Sequence, residues 1–208
     1  MPIYDEARVL DWKGHLDIVS KRPGEVELIL SYAQKTGGPV FELACCAGRM
    51  TMELAKENFE VYGLDASWPA IEMGLEAIKK LTPEVRPRIH FIQGDMRCFS
   101  FRKQVPLIII AYNSLWFNLN EEEAEQCIQC IIDNLSPEGL FLIDKPEIYR
   151  PEDLNVDDDI RKKWWKAMAV KYNFEFTVKN YCFWALAHEP KENQAYLMRD
   201  QMFVGKKL

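Results

Sequence analysis

The sequence predicts an α/β protein built as a three-layer sandwich: a mostly parallel central sheet, helices on both faces, and antiparallel strands at the C-terminal end. Three observations carry this reading. The stretch PVFELACCAGRMTMELAKENFEVYGLDAS, residues 39–67, runs from a short apolar strand through a tight turn and a helix into a second strand that stops on an acid, which is half of a βαβ arrangement. Five consecutive apolar residues from Leu107 to Ala111 suit a parallel strand buried on both faces. After Phe174 the pattern changes to alternation, with Phe174, Phe176 and Val178 set against Glu175, Thr177 and Lys179.

The 208 residues favour one domain, divided into an N-terminal helical segment (1–38), a core (39–144) and a C-terminal helix with antiparallel strands (145–208). Leu10, Trp12, Leu16 and Val19 mark a short or irregular helix. Pro23 opens a helix whose Val26, Ile29, Leu30 and Ala33 share one face, and Gly37 with Gly38 ends it. Val40, Phe41 and Leu43 form the first strand, a helix covers about Arg49 to Asn58, and Val61 to Asp65 form the second strand. Ser67 caps a helix with Pro69 in its first turn and a stripe of Ile71, Leu75 and Ile78, ending near Leu81. Ile89, Phe91 and Ile92 make a third strand that Gly94 terminates.

Tyr112, Asn113, Ser114, Leu115 and Trp116 emerge from the fourth strand. Asn120 caps the next helix, where Glu121, Glu122 and Glu123 favour the positive end of the helix dipole rather than a metal, and Ala124, Ile128, Ile131, Ile132 and Leu135 form its buried stripe. A turn at SPEG leads to a fifth strand with Leu140, Leu142 and Ile143 buried and Asp144 at its exit. Ile160, Trp164, Ala167, Met168 and Lys171 continue at helical spacing over 156–172, and a last strand runs from Tyr196 to Val204. Two accounts of 145–208 stand at this point: a helix and two strands that complete the sheet, or an antiparallel cover over a substrate. The first leaves no sheet edge bare where the core ends and is preferred.

A net charge of −6 and a pI near 5.2 argue against a broad phosphate-binding face, so no nucleic-acid partner is expected. The N-terminus lacks the basic-then-apolar order of a signal peptide and no apolar run approaches the ~20 residues of a membrane span. The expected setting is cytoplasmic. The six cysteines then read as thiols rather than a disulfide framework. Cys127 and Cys130 form a CxxC inside a helical pattern with nothing to complete a metal site, and read as packing. Cys45 and Cys46 lie in a turn of unpaired amides, which can depress a thiol pKa, although packing is again the preferred role.

In a βαβ unit the turn after the first strand and the tip of the second lie side by side at the carboxyl edge of the sheet, where open α/β sheets bind ligands. A carboxylate at the tip, here Asp65, suits the paired hydroxyls of a ribose. Three segments carry a family resemblance. ELACCAGR resembles the first motif of class I S-adenosylmethionine (SAM) methyltransferases, YGLDAS resembles their second-strand motif, and FIQGDM their third-strand motif. The resemblance covers roughly residues 4–144 and departs from the pattern where Ala44 and Cys46 replace small residues or glycines.

The resemblance implies a Rossmann-like fold and SAM as cofactor, with S-adenosylhomocysteine as product. It implies that Glu42, Ala44, Cys45, Cys46 and Gly48 line the amino-acid end of the cofactor, Asp65 and Ala66 the sugar, and Asp95 and Met96 the adenine. It places the fourth-strand exit beside the transferred methyl, with Asn113 and Tyr112 as candidate catalytic residues, Asn113 also touching cofactor, and Trp116, Tyr4 and Asp144 toward the acceptor. No metal is required. The Asn/Asp-Pro-Pro-Tyr/Phe sequence of nucleic-acid amino methyltransferases is missing, which favours a small-molecule or peptide acceptor. The alternatives are a catalytically silent SAM-fold binding module and an NAD-dependent oxidoreductase. The second is disfavoured because the turn is not GxGxxG.

Overall fold

The computed structural model describes residues 23–112, 114–115, 119–145, 158–186 and 195–208. Within them, seven strands form one sheet in the order β3-β2-β1-β4-β5-β7-β6. Strands β1 (Val40–Leu43), β2 (Val61–Asp65), β3 (Ile89–Gln93), β4 (Val105–Ile110) and β5 (Leu135–Lys145) run parallel. Strand β7 (Ala195–Lys207) is antiparallel to β5, and β6 (Phe174–Leu186) is antiparallel to β7 at the far edge. The last two strands therefore belong to the sheet, as the preferred account of this region expects. The order reverses between β1 and β4, which is the switch point where a crevice opens at the carboxyl ends of the strands.

Helices α1 (Pro23–Thr36) and α2 (Arg49–Lys56) pack on one face of the sheet, through Ile29, Ala33, Met50 and Leu54 against Val40, Leu107, Ile109 and Leu142. Helices α4 (Glu121–Asn134) and α5 (Asp158–Tyr172) cover the other face, through Ile128, Ile131, Trp165 and Met168 against Phe41, Ile108, Phe141 and Phe203. Helix α3 (Trp68–Ile78) follows β2, and its Ile78 packs with the α1–α2 side. Alternate residues of β4 and β5 feed opposite layers because successive strand side chains point to opposite faces.

Local chemistry sets the element ends. Asn120 accepts a hydrogen bond from the Glu123 amide while the Glu123 side chain accepts from the Asn120 amide, a reciprocal capping box at the start of α4. At the other end of α4, Lys207 donates to the carbonyls of Ile132 and Leu135 at 2.8 and 2.9 Å, a cation on the negative end of the helix. Ser67 caps α3 by accepting from the Ala70 amide.

Three sequence expectations need correction. In α3, Leu75 is 37% exposed, and the buried positions are Ala70, Ile71 and Gly74. In α5, Trp165 rather than Trp164 is the fully buried ring, and Lys171 faces solvent to pair with Glu125. The stripe is Trp165, Met168, Ala169 and Tyr172, a spacing of three, four and seven that puts these side chains on one helical face. The SPEG turn lies inside β5, where the pairing with β4 skips between Val105 and Leu107.

Candidate active site

The turn after β1 alternates in handedness. Ala44, Cys46 and Gly48 have φ of 53°, 52° and 78°, so every second residue is left-handed. That conformation is open to glycine and costs a residue with a Cβ about 1–2 kcal/mol. Two side-chain-bearing residues therefore hold the backbone path that glycines usually supply. The turn is fixed to β2 by Cys45 N–H donating to the Leu64 carbonyl (3.1 Å) and Cys46 N–H donating to Asp65 Oδ2 (2.8 Å). Asp65 Oδ1 accepts from Ser67 N–H (2.8 Å), so the 5% exposed carboxylate joins the turn to the N-terminus of α3. Burial pushes the Asp65 pKa up, against the opposing pull of these amides.

Beneath the turn sits a buried polar cluster. Thr51, on α2, donates from its hydroxyl to Glu42 Oε2, and both residues are buried. Burial raises the Glu42 pKa to about 7, opposed by the Thr51 hydroxyl and by Arg49, and aided by the charge of Glu25. Arg49, directly after Gly48, donates from Nη2 to Glu25 Oε2 at 2.6 Å. Glu25 is fully buried on α1, and its Oε1 accepts from the backbone N–H of Tyr112 at 3.3 Å. One carboxylate thus spans from the turn after β1 to the exit of β4. Tyr112 itself has φ 53°, so the chain turns sharply as it leaves β4.

The thiols of the turn are not activated, which corrects the idea of a depressed pKa. Burial raises Cys45 well above the ordinary thiol value, with the nearby Glu42 and Asp65 adding to it, and raises Cys46 to about 11, with Asp65 contributing. Cys45 packs over Gly63 of β2, where a Cβ would fall 2.8 Å from its sulfur. Cys127 is buried in the α4 core and Cys130 donates to the Arg97 carbonyl, consistent with packing. Both are free thiols.

Asp95 follows β3 at the same edge as Asp65, since Gly94 N–H donates to the Asp65 carbonyl at 2.9 Å. Its carboxylate is 41% exposed and takes four hydrogen bonds from Arg97: one from the backbone N–H, two from Nε and one from Nη2. These bonds lower its pKa. Arg97 also pairs with Glu123 at the start of α4. Met96 is buried in the α4–α5 layer, Ala66 is exposed beside Asp65, and Asp144 is 1% exposed at the end of β5. Asn113, Trp116, Tyr4 and Trp12 lie outside the described residues. His90 stacks on Tyr62 and faces Glu60, at the amino end of the strands and away from this edge.

Sequence reasoning missed Glu25, Arg49 and Arg97. Glu25 carried a usable signal: it stands four residues before Ile29, a charge on the apolar face of its own helix, and such a charge needs a buried partner. Among the described residues no group of three or more His, Cys, Asp or Glu side chains is placed to hold a metal ion, and no helix is long and apolar enough to cross a membrane.

Comparison with known proteins bears on the fold that carries this site. Residues 40–139 match the profile of the methyltransferase domain family. The chain is 26% identical over 135 residues to a putative methyltransferase, YqeM, of Bacillus subtilis (61% of this chain, 53% of that one). It is 26% identical over 142 residues to the cypemycin N-terminal methyltransferase of a Streptomyces species (68% and 56%). It thus spans about half the length of these curated relatives. Among solved structures, the glycopeptide N-methyltransferase MtfA complexed with SAM superposes with a TM-score of 0.66 at 19% identity, over 90% of this chain and 94% of that one. The methyltransferase domain of a bacterial Hen1 gives 0.67 at 16%, over 88% and 97%. Residues 40–139 thus form a methyltransferase domain of the class I SAM-dependent type, set within a sheet of order 3-2-1-4-5-7-6.

Proposed function

We propose that the protein transfers a methyl group from SAM to an amine on a small molecule or peptide. The observation that carries this is the bond between Cys46 N–H and Asp65 Oδ2, which brings the turn after β1 and the acid of β2 into one cradle, with Asp95 on the adjoining strand. The residues fit the cofactor. Asp65 spends one acceptor site per oxygen on backbone amides, and a carboxylate has about four, so two remain for a pair of ribose hydroxyls. Asp95 would meet the adenine amine by exchanging one of its four Arg97 hydrogen bonds for it, Met96 and Ala66 would lie toward the base and sugar, and Glu42, Ala44, Cys45, Cys46 and Gly48 toward the amino-acid end.

When bound, SAM supplies a methyl on a sulfonium, open to in-line displacement by a nucleophile. The protein's part is alignment and exclusion of water, which is worth up to about 7–11 kcal/mol. Glu25 contributes by locking the β1 turn and the β4 exit at a fixed separation through Arg49 and the Tyr112 amide. Tyr112 and Asn113 orient the acceptor or take its proton, with Trp116, Tyr4 and Asp144 on the acceptor side. One point supports an amine: of the relatives named above, one acts on the cypemycin N-terminus and another is, by its title, a glycopeptide N-methyltransferase. The acidic chain and its free thiols fit a cytoplasmic enzyme without a nucleic-acid substrate.

Calorimetric titration with SAM, S-adenosylhomocysteine and NAD tests the cofactor, and labelled methyl transfer to a panel of primary amines and peptides tests the reaction. SAM binding with transfer to amines is expected. NAD binding without SAM binding would overturn the reading, and SAM binding with transfer to no acceptor would favour a silent binding module.

A further inference from the structure

The sheet ends on a long strand paired on one side. β6 bonds to β7 along its whole length, from Phe174 opposite Lys207 to Leu186 opposite Ala195, and among the described residues no strand lies on its outer side. Such an edge presents a row of backbone amides and carbonyls to another strand. The opposite edge, β3, has 5 residues against 13 in β6, so β6 is the larger template. Its side chains are open as well. Glu175, Thr177 and Lys179 are exposed on one face, and Val178 is 40% exposed on the other, two residues from Phe176, which packs against Trp165 of α5. Lys206, across from Glu175 on β7, pairs with Glu138.

We propose that two copies of this chain associate edge to edge through β6, antiparallel, about a two-fold axis at Thr177. Charge complementarity selects both the occupant and the register. With Thr177 opposite its own copy, Glu175 of each chain faces Lys179 of the other, so two opposite-charge pairs form on one face. On the other face Phe176 of each chain meets Val178 of the other, which covers the exposed Val178 and extends the layer begun by Trp165. Moving the axis to Phe176 or Val178 sets Thr177 opposite a charge and leaves the ions unmatched, and an axis at Glu175 or Lys179 sets like charges opposite each other. A lysine on an edge strand ordinarily discourages pairing; here each lysine meets a glutamate. In the order β4-β5-β7-β6 the edge stands apart from the crevice between β1 and β4, so each copy keeps its own candidate active site.

The test is analytical ultracentrifugation of the full chain over a concentration series. A species of about twice the 24.3 kDa chain mass is expected to grow with concentration. Lys179→Glu and Glu175→Lys each place like charges at two symmetry-related contacts, and each alone is expected to weaken self-association at least about 10-fold. An equimolar mixture of these two single variants restores both pairs between unlike chains and should associate as the wild type does. So should the double variant Glu175→Lys/Lys179→Glu, in which the signs are exchanged. Both positions are exposed, and thermal unfolding checks that each variant folds. A wild type that stays monomeric at every concentration, or a dimer that ignores the single reversals, would overturn the proposal. Loss in the single variants with no rescue in the mixture or the double variant would overturn it too, because net charge would then account for the loss.

Discussion

The backbone amide of Cys46 and the carboxylate of Asp65 are joined at 2.8 Å although 19 residues separate them in the chain. This bond converts a turn and a strand end into one rigid wall. It also ties the cost of the left-handed turn to the acid that would hold the sugar. Replacing Asp65 by Asn keeps an acceptor for one amide and removes the charge. Binding of S-adenosylhomocysteine is expected to weaken about 10- to 100-fold, with a loss of stability of roughly 1–2 kcal/mol. Calorimetry and urea unfolding of the variant measure both, and unchanged affinity would separate Asp65 from the ligand.

Within the same turn, opposite substitutions are expected to have opposite signs. Ala44→Gly removes the penalty of a Cβ at φ 53° and should raise unfolding free energy by about 1 kcal/mol. Gly48→Ala places a Cβ at φ 78° and 2.5 Å from the Phe91 ring, so it should destabilise by about 2–4 kcal/mol. Chemical denaturation of the two variants side by side decides; a stabilising Gly48→Ala would contradict the geometry of the turn.

Glu42 predicts a particular pH profile. Its folded pKa, about 7, lies above the ordinary glutamate value, so between about pH 4.5 and 7 the folded chain holds a proton that the unfolded chain releases. Stability therefore falls as pH rises through this window, and the full penalty, on the order of 3 kcal/mol, is reached above pH 7. Asp65, also raised, works in the same direction. Glu42→Gln should flatten the Tm-versus-pH curve from pH 5 to 7, whereas an identical slope in the variant would assign the proton to another group.

Arg97 holds Asp95 ionised and oriented. Arg97→Ala should move the Asp95 pKa up toward the usual carboxylate range, as read by NMR titration, while stability changes by less than ~1 kcal/mol because the pair is partly open to solvent. If Asp95 meets the adenine amine, the variant should also lose discrimination between S-adenosylhomocysteine and its inosine counterpart. Retained discrimination would move the base-reading role away from Asp95.

The hairpin that closes the sheet depends on one close approach. A Cβ on Gly205 of β7 would fall 2.0 Å from the ring of Phe141, which is fully buried against Trp165 and Phe174. Gly205→Ala should cost about 1–3 kcal/mol, since a packed aromatic cluster yields little to an added methyl. A thermal melt within a degree of wild type would show that the cluster has more room than this packing implies.

Much of the fold was legible because hydrophobic periodicity acts locally. The apolar run of β4, the capping Asn120 and Ser67 and the stripe of α4 each express a nearest-neighbour rule, and each stands where the residues place it. Leu75 and Trp164 were misread for a shared reason: a stripe can be phased from one strong apolar residue or from its neighbour, and only the opposing layer selects the phase. Cys45 and Cys46 were ambiguous because a thiol pKa depends on burial and on acids distant in sequence.

The sequence by itself determined the alternation of strand and helix, the turn between Leu43 and Arg49, and the acids that end β2 and follow β3, because these rest on side-chain pattern and on residues adjacent in the chain. Only the tertiary structure decided that Glu25, 24 residues before Arg49 and 87 before Tyr112, holds both, and that β6 and β7 complete the sheet. Burial and long-range charge pairing have no periodicity along the chain. They exist once the layers have closed and water has been removed between them.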